Sequence, residues 1–295
     1  MKVLITGYRG QLGHALFKQM TTRFVSLGKL PSCYSGAEIF CPNVDELDVT
    51  SDSMVQKYFD EHRPNLVFHC ASFTNVDGCE DDVDKAMAVN AEGTRRIAQA
   101  CERVGAKLVY ISTDYVFSGD KDTSYVESDR CNPLNVYGLS KLQGELYTSE
   151  LCSRSFIVRT SWLYGFHGNS FVKTILKKSR DIGHLLVVDD QRGNPTNVED
   201  LAYHTLQLAI TDNYGIYHCS GEGICSWYEF ASKIIKLANV PCELIPCTSE
   251  EYRQKAKRPS FSALENDMLR RTIGNKMRNW EEALEDYITK LEGEK

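Results

Sequence analysis

The feature that most constrains this chain lies at its start. A β-rich run, Lys2–Thr6, turns through Thr6-Gly7-Tyr8-Arg9-Gly10-Gln11-Leu12-Gly13 into a helical pattern over Gln11–Met20. Glycines at 7, 10 and 13, in a GxxGxxG spacing between a strand and a helix, suit an α/β sheet that receives an anion. A tight turn there needs unusual φ, and a pyrophosphate must approach backbone without a Cβ in the way. The free N–H groups of the helix N-terminus, with the positive end of its dipole, then face the anion. The expectation is a bound dinucleotide.

Beyond the turn, short β-rich runs alternate with helical patterns. Phe24–Leu27 reads as a second strand, Val44–Val49 as containing a short third, and Leu66–Ala71, after Pro64, as a buried one. Helical patterns fill Ser53–His62 and Val83–Val104. The latter carries an apolar stripe at Ala86, Val89, Ile97, Ala100, Cys101 and Val104, with Gly105 as its C-cap. Strands Lys107–Ser112 and Ser155–Arg159 flank a helix from Val136 to about Leu151. Such alternation gives βαβ units, hence parallel strands with helices on both faces.

After Gly165 the pattern loosens. Helices are expected near Ser170–Lys178, Val198–Ile210, Trp227–Leu237 and Trp280–Leu291, and strands at Leu185–Val188, Ile216–Cys219 and Glu243–Pro246. The predicted fold is α/β, a Rossmann-like doubly wound parallel sheet with a smaller C-terminal substrate-binding lobe. Residues 1–165 with about 190–222 are assigned to the dinucleotide-binding domain, and about 166–189 with 223–295 to the lobe.

Tyr137-Gly138-Leu139-Ser140-Lys141 places a phenol and an ammonium one helical turn apart on one face. That spacing suits reduction of a ketone. As hydride arrives at carbon, the carbonyl oxygen becomes an alkoxide that a phenol can protonate, and a nearby ammonium pulls the phenol pKa down. Among 15 tyrosines an isolated YxxxK would mean little. Here it follows Ile111-Ser112-Thr113-Asp114, which closes a buried strand with hydroxyls at its carboxyl end, where open α/β sheets bind ligands.

Composition narrows the function classes. A net charge of −6 and the absence of a basic run argue against nucleic acid. No stretch approaches the ~18 apolar residues of a membrane span, and no signal peptide is apparent, so a cytoplasmic protein is expected. Eleven scattered cysteines without a CxxC pair read as reduced thiols. Seven histidines show no metal-ligand spacing, and no metal site is assigned.

Taken together, these motifs resemble the extended short-chain dehydrogenase/reductase family, and within it the dTDP-4-dehydrorhamnose reductases. The likeness runs over nearly the whole chain. It rests on residues 7–13, Cys70-Ala71-Ser72 with Thr74 and Val76-Asp77, and Ser112 to Phe117 followed by Gly119. It continues through Pro133 to Lys141, Arg159 to Gly165, Asp190-Gln191 with Gly193 and Pro195-Thr196, and Arg258-Pro259 with Ser262 and Leu264. The resemblance implies hydride transfer from NADPH or NADH to the 4-keto group of a nucleotide-linked deoxysugar, dTDP-4-dehydrorhamnose giving dTDP-rhamnose.

Carried over by position, the resemblance makes Thr113 the carbonyl binder, Tyr137 the proton donor and Lys141 its electrostatic partner, with Asp114 beside them. Gly7, Gly10, Gln11, Leu12 and Gly13 would cradle the pyrophosphate. Asp48 and Val49 would flank the adenine, and Ala71, Ser72 and Thr74 would line the cofactor, which Tyr137 and Lys141 also touch. Val76, Thr113, Trp162 and Asn169 would meet the substrate, and Arg258 its diphosphate. No acid follows the expected second strand, and Lys29 and Arg9 could meet a 2′-phosphate, so NADPH is favoured over NADH. A second departure is Ala263, where a polar or charged residue is expected. Some members of the family carry a divalent metal at a subunit contact. Its ligands are not placed here, and a homodimer is left open. A regulatory subunit of the methionine adenosyltransferase type and a nucleotide-sugar epimerase or dehydratase are the alternatives on this scaffold.

Overall fold

Val3, Leu4 and Ile5 are fully buried, so the strand they form, β1 (Lys2–Thr6), has apolar neighbours on both faces and belongs inside a sheet. The computed structural model, which describes residues 1–293, sets it between β2 (Glu38–Phe40) and β3 (Leu66–His69). Beyond β3 the sheet continues through β4 (Lys107–Thr113), β5 (Ser155–Thr160) and the strand Gly215–His218, all parallel. The order across the sheet is Gly215–His218, β5, β4, β3, β1, β2. Chain order therefore reverses between β1 and β3, and the crevice outside their carboxyl ends is where such a sheet receives its ligand.

Helices Gln11–Thr22 and Val198–Ala209 pack on one face of the sheet, around Leu16, Phe68, Val109, Val158 and Leu201. Helices Asp52–His62 and Thr94–Val104 cover the other, around Leu4, Phe59, Val67, Ile97 and Leu108. A second core gathers Tyr164, Phe230, Ile234, Trp280, Leu284 and Tyr287. Its helices are Phe171–Ile182, Trp227–Leu237 and Trp280–Gly293, beside a parallel pair, His184–Val188 with Glu243–Cys247.

Three expectations are corrected. Phe24–Leu27 is a loop with Phe24 75% exposed, and the second strand is Glu38–Phe40, which pairs with β1 after the chain has crossed the amino edge of the sheet. Val44–Val49 forms turns and no strand, because Asn43 and Asp48 fold their carbonyl-bearing side chains back onto local N–H groups. The long helix over Val83–Val104 is interrupted. A helical turn Val83–Ala86 passes into a π-helical stretch, Met87–Gly93, before Thr94–Val104 resumes. Gly105 does close it, at φ +71°. Two short helices, Val76–Asp81 and Asp267–Ile273, carry too little apolar surface to show a periodicity; each buries a single side chain, Cys79 and Leu269.

Candidate active site

The glycine turn is built as its spacing requires. Gly7 sits at φ +67°, and a Cβ there would lie 2.6 Å from the Ala71 nitrogen; one at Gly13 would lie 2.6 Å from the Gly7 oxygen. Ala71 thus backs the turn, while Gly10 closes it by donating its N–H to the Gly7 carbonyl at 2.9 Å. Above it opens a cleft of about 620 Å³ whose wall includes Gly7, Arg9, Gly10, Gln11, Leu12 and Gly13. The same cleft is lined by Cys70, Ser72, Thr74, Val76, Thr113, Asp114, Tyr137, Lys141, Trp162 and Asn169. Two of its residues, Gln11 and Thr160, hold a buried side-chain oxygen with no hydrogen-bond partner. Orphaned polar atoms beside a roomy cleft call for a partner that the chain itself does not supply. A glycine cradle, a helix N-terminus and that volume fit a dinucleotide.

Tyr137 and Lys141 come from the helix Val136–Leu151, whose N-terminus is fixed by Asn135 accepting from the Gly138 N–H at 2.8 Å. Gly138 lets this helix lie against the turn Asp114–Val116, since a Cβ would come within 2.1 Å of the Tyr115 oxygen. Thr113, at the end of β4, donates to Asp114 at 3.0 Å, accepts from the Tyr115 N–H at 3.2 Å and is hydrogen-bonded to the Tyr137 side chain. Asp114 also accepts from Ser262 at 2.5 Å. Burial pushes its carboxyl from 3.8 to about 7, against the pull of those hydroxyls.

Burial, more than any neighbouring charge, sets the electrostatics of the Tyr137–Lys141 pair. Burial raises the phenol well above its ordinary value, with the Thr113 hydrogen bond opposing and Asp114 adding to the rise. Lys141 is drawn down to about 7 by burial, with Glu145 and Cys70 opposing, and its ammonium stands 4.2 Å from the Tyr110 ring centre. Tyr137 is thus held protonated, the form a reductase needs before it donates.

Several assigned residues stand elsewhere than expected. Lys29 does not reach the cleft. Its carbonyl accepts from Gln207 at 2.9 Å and Gly28 abuts Tyr203, outside the cleft. Asp48 accepts from the N–H and hydroxyl of Thr50 at 2.8 and 2.7 Å, and Val49 packs on Gly93; neither lines the cleft. Arg258 forms a two-pronged pair with Asp77 at 3.1 Å and lines a neighbouring pocket. Ala263 is fully buried, its carbonyl accepting from the Tyr125 N–H, and the polar contact falls instead to Ser262.

That neighbouring pocket, about 230 Å³, shares Tyr115 and Trp227 with the cleft and adds Phe171, Ile175, Val187, Gln191 and Tyr252. Trp162, held at φ +46°, stacks on Trp227 with ring centres 3.5 Å apart and planes 6° from parallel. This aromatic pair forms part of the cleft wall.

A family model described as RmlD substrate binding domain matches residues 1–292. The chain belongs to this family. It is 39% identical to dTDP-4-dehydrorhamnose reductase of Aggregatibacter actinomycetemcomitans, over 97% of each protein. The solved dTDP-4-dehydrorhamnose reductase of Clostridium acetobutylicum superposes with a TM-score of 0.93 at 43% identity, covering 99% of this chain and all of that one. That of Bacillus anthracis str. Ames, solved in complex with NADP, gives 0.90 at 42% identity over 98% and 99%.

Two features of this family member escaped sequence reasoning. Asn90, fully buried in the π-helical stretch, accepts from Ser72 and the Phe73 N–H at 2.8 and 2.7 Å and donates to Ser140 at 2.9 Å. It ties the Ser72–Phe73 loop to the helix that carries Tyr137 and Lys141. Its signal, one Asn inside an apolar stripe, looks like a helix imperfection until the widened turn is seen. Trp227 reads as an ordinary helix start and gains meaning only from Trp162 opposite it.

Proposed function

We propose that this chain is a nicotinamide-dependent reductase that converts the 4-keto group of a dTDP-linked deoxysugar, dTDP-4-dehydrorhamnose, to the alcohol of dTDP-rhamnose. The observation that carries this reading is that Thr113, Tyr137 and Lys141 converge in the same cleft as the glycine turn. When bound, the nicotinamide supplies hydride; the chain's own groups handle the oxygen. The Thr113 hydroxyl orients the carbonyl. The protonated Tyr137 phenol donates to that oxygen as it gains charge, and Lys141 stabilises the phenolate left behind. Gly7, Gly10, Gln11, Leu12 and Gly13 hold the pyrophosphate, and Ser72 and Thr74 line the cofactor's path.

The aromatic wall of Trp162 and Trp227 and the adjoining pocket take the nucleoside, with Val76 and Asn169 at the sugar. Arg258, oriented by Asp77, faces the diphosphate. The second core is then the substrate lobe. NADPH is the preferred donor. Arg9 lines the cleft, and the residues directly after β2, Cys41-Pro42-Asn43-Val44, offer no carboxylate to a ribose 2′-hydroxyl. The eleven free cysteines suit a reducing compartment such as the cytoplasm.

The test is consumption of NADPH or NADH with a panel of nucleotide-linked 4-keto sugars. Saturable turnover is expected, with kcat lowered about 10²–10⁴-fold in Tyr137→Phe. Stoichiometrically retained NAD without net consumption would replace this reading with an epimerase or dehydratase. Cofactor binding without turnover on any sugar would leave a regulatory subunit.

A further inference from the structure

Below Lys141, on the next turn of the same helix, Glu145 is buried at 3% exposure in a place where nothing obliges a carboxylate to be. It accepts from Arg159 through both prongs, at 2.9 and 2.7 Å, and from the Ser112 hydroxyl at 2.5 Å. Arg159 is itself buried, in β5, and also donates to the Glu127 carbonyl. A buried ion pair gives little net stability over well-packed apolar side chains. Its retention here coincides with its neighbours. Ser112 precedes Thr113, Arg159 precedes the cleft residue Thr160, and Glu145 follows Lys141 by one turn.

We propose that Glu145 is a positioning residue for the reduction. Its clamped carboxylate fixes the Tyr137–Lys141 helix against β4 and β5 and places a negative charge one turn from the Lys141 ammonium. The proposal rests on the reductase reading above. The groups facing Lys141 are His69 from β3, Cys70 after it, Tyr110 from β4, and Glu145. His69 is held neutral, down to about 3, and Cys70 is pushed up to about 12, both by burial. Tyr110 is raised far above neutral by burial. Facing Glu145 are Arg159, Ser112, Cys131 and Tyr110. The ionisable groups that set the field in this wall are therefore Lys141 and the Glu145–Arg159 ion pair. Glu145 raises the Lys141 pKa against desolvation.

The experiment is the pH profile of kcat/KM for the keto sugar at saturating NADPH. Loss of the Lys141 proton sets a basic limb. In Glu145→Gln the ammonium loses its nearby anion, so that limb should move at least half a pH unit toward acid, with kcat down about tenfold and KM for the sugar within twofold. Glu145→Gln leaves Arg159 buried without its carboxylate and can fail to fold. The double variant Glu145→Met/Arg159→Met removes both charges together, and is expected to melt close to wild type while its limb still moves toward acid, less far than in the single variant because no unpaired Arg159 charge remains. Asp114 titrates in the same range from the other side of Tyr137, so each profile is repeated in Asp114→Asn, where the displacement should persist. A folded variant whose basic limb coincides with wild type overturns the proposal, even if its kcat falls, because packing alone would do that. Failure of the wild type to reduce any nucleotide-linked 4-keto sugar would instead end the underlying reading before a variant is made.

Discussion

Burial of Lys141 at 2% exposure draws its ammonium from 10.5 to about 7, and this has a measurable sign. Between about 7 and 10.5 the unfolded chain holds the proton that the folded chain has released, so this group makes stability rise with pH across that window; below it the cost is present in full. Lys141→Met is therefore expected to raise the melting temperature near pH 6.5. The gain should shrink toward pH 10, while turnover is lost, a trade of stability for activity common at catalytic sites. Asp114 has the opposite profile. Its folded value is raised from 3.8 to about 7, so the folded chain binds the extra proton and stability falls as pH climbs through that interval. Asp114→Asn should stabilise more at pH 8 than at pH 5 and lower kcat about tenfold. Melting curves at two pH values check both variants, and equal shifts at both would contradict either assignment.

At the scale of elements, the helix Val136–Leu151 shows how much the sequence could and could not disclose. Its buried side chains are small or polar, Gly138, Ser140, Lys141, Gly144, Glu145 and Thr148, so it lacks the apolar stripe by which helices are recognised. The YxxxK spacing exposed it, because chemistry as well as packing demands a helix there. The glycine turn was legible for the same reason. Phe24–Leu27, by contrast, is apolar enough to resemble a strand, yet the edge position beside β1 went to Glu38–Phe40, which is only partly buried. Edge pairing is decided by backbone register and loop reach, which periodicity does not report. Asn90 and the Glu145–Arg159 pair were illegible because their partners lie 17 to 50 and 14 residues away. The close packing of this helix also yields a prediction. A methyl group at Gly138 would meet the Tyr115 carbonyl at 2.1 Å, and backbone cannot yield as a side-chain tip can. Gly138→Ala should therefore push Tyr137 away from Thr113 and cut kcat by about 10²-fold, with a smaller change in cofactor affinity, since about 1 Å of misplacement has that effect.

At the scale of the whole molecule, the cleft works only if the two cores keep their relative pose, and polar contacts hold it alongside the Trp162–Trp227 stack. The segment through Arg258 and Ser262 is tied to Asp77 and Asp114, across the cleft's rim. Behind the cleft, Arg278 joins Asp200, on the helix Val198–Ala209, to Asp286, on the helix Trp280–Gly293, at 2.7 and 3.0 Å. Asp200 is 1% exposed; burial raises its pKa, and the Arg278 hydrogen bond and charge oppose that rise. Arg278→Met would strand this carboxylate, for which breaking a buried pair typically costs about 3–5 kcal/mol. Without its partner the carboxyl can escape the cost only by taking a proton, so the deficit should be larger at pH 8 than at pH 5. In Arg278→Met/Asp200→Asn no charge is left stranded, and most of the loss at pH 8 should return. Urea denaturation of the three proteins at both pH values measures this. A deficit independent of pH, or one the second substitution fails to repair, would mean that Arg278 holds the cores together through its aliphatic stem and not through its charge.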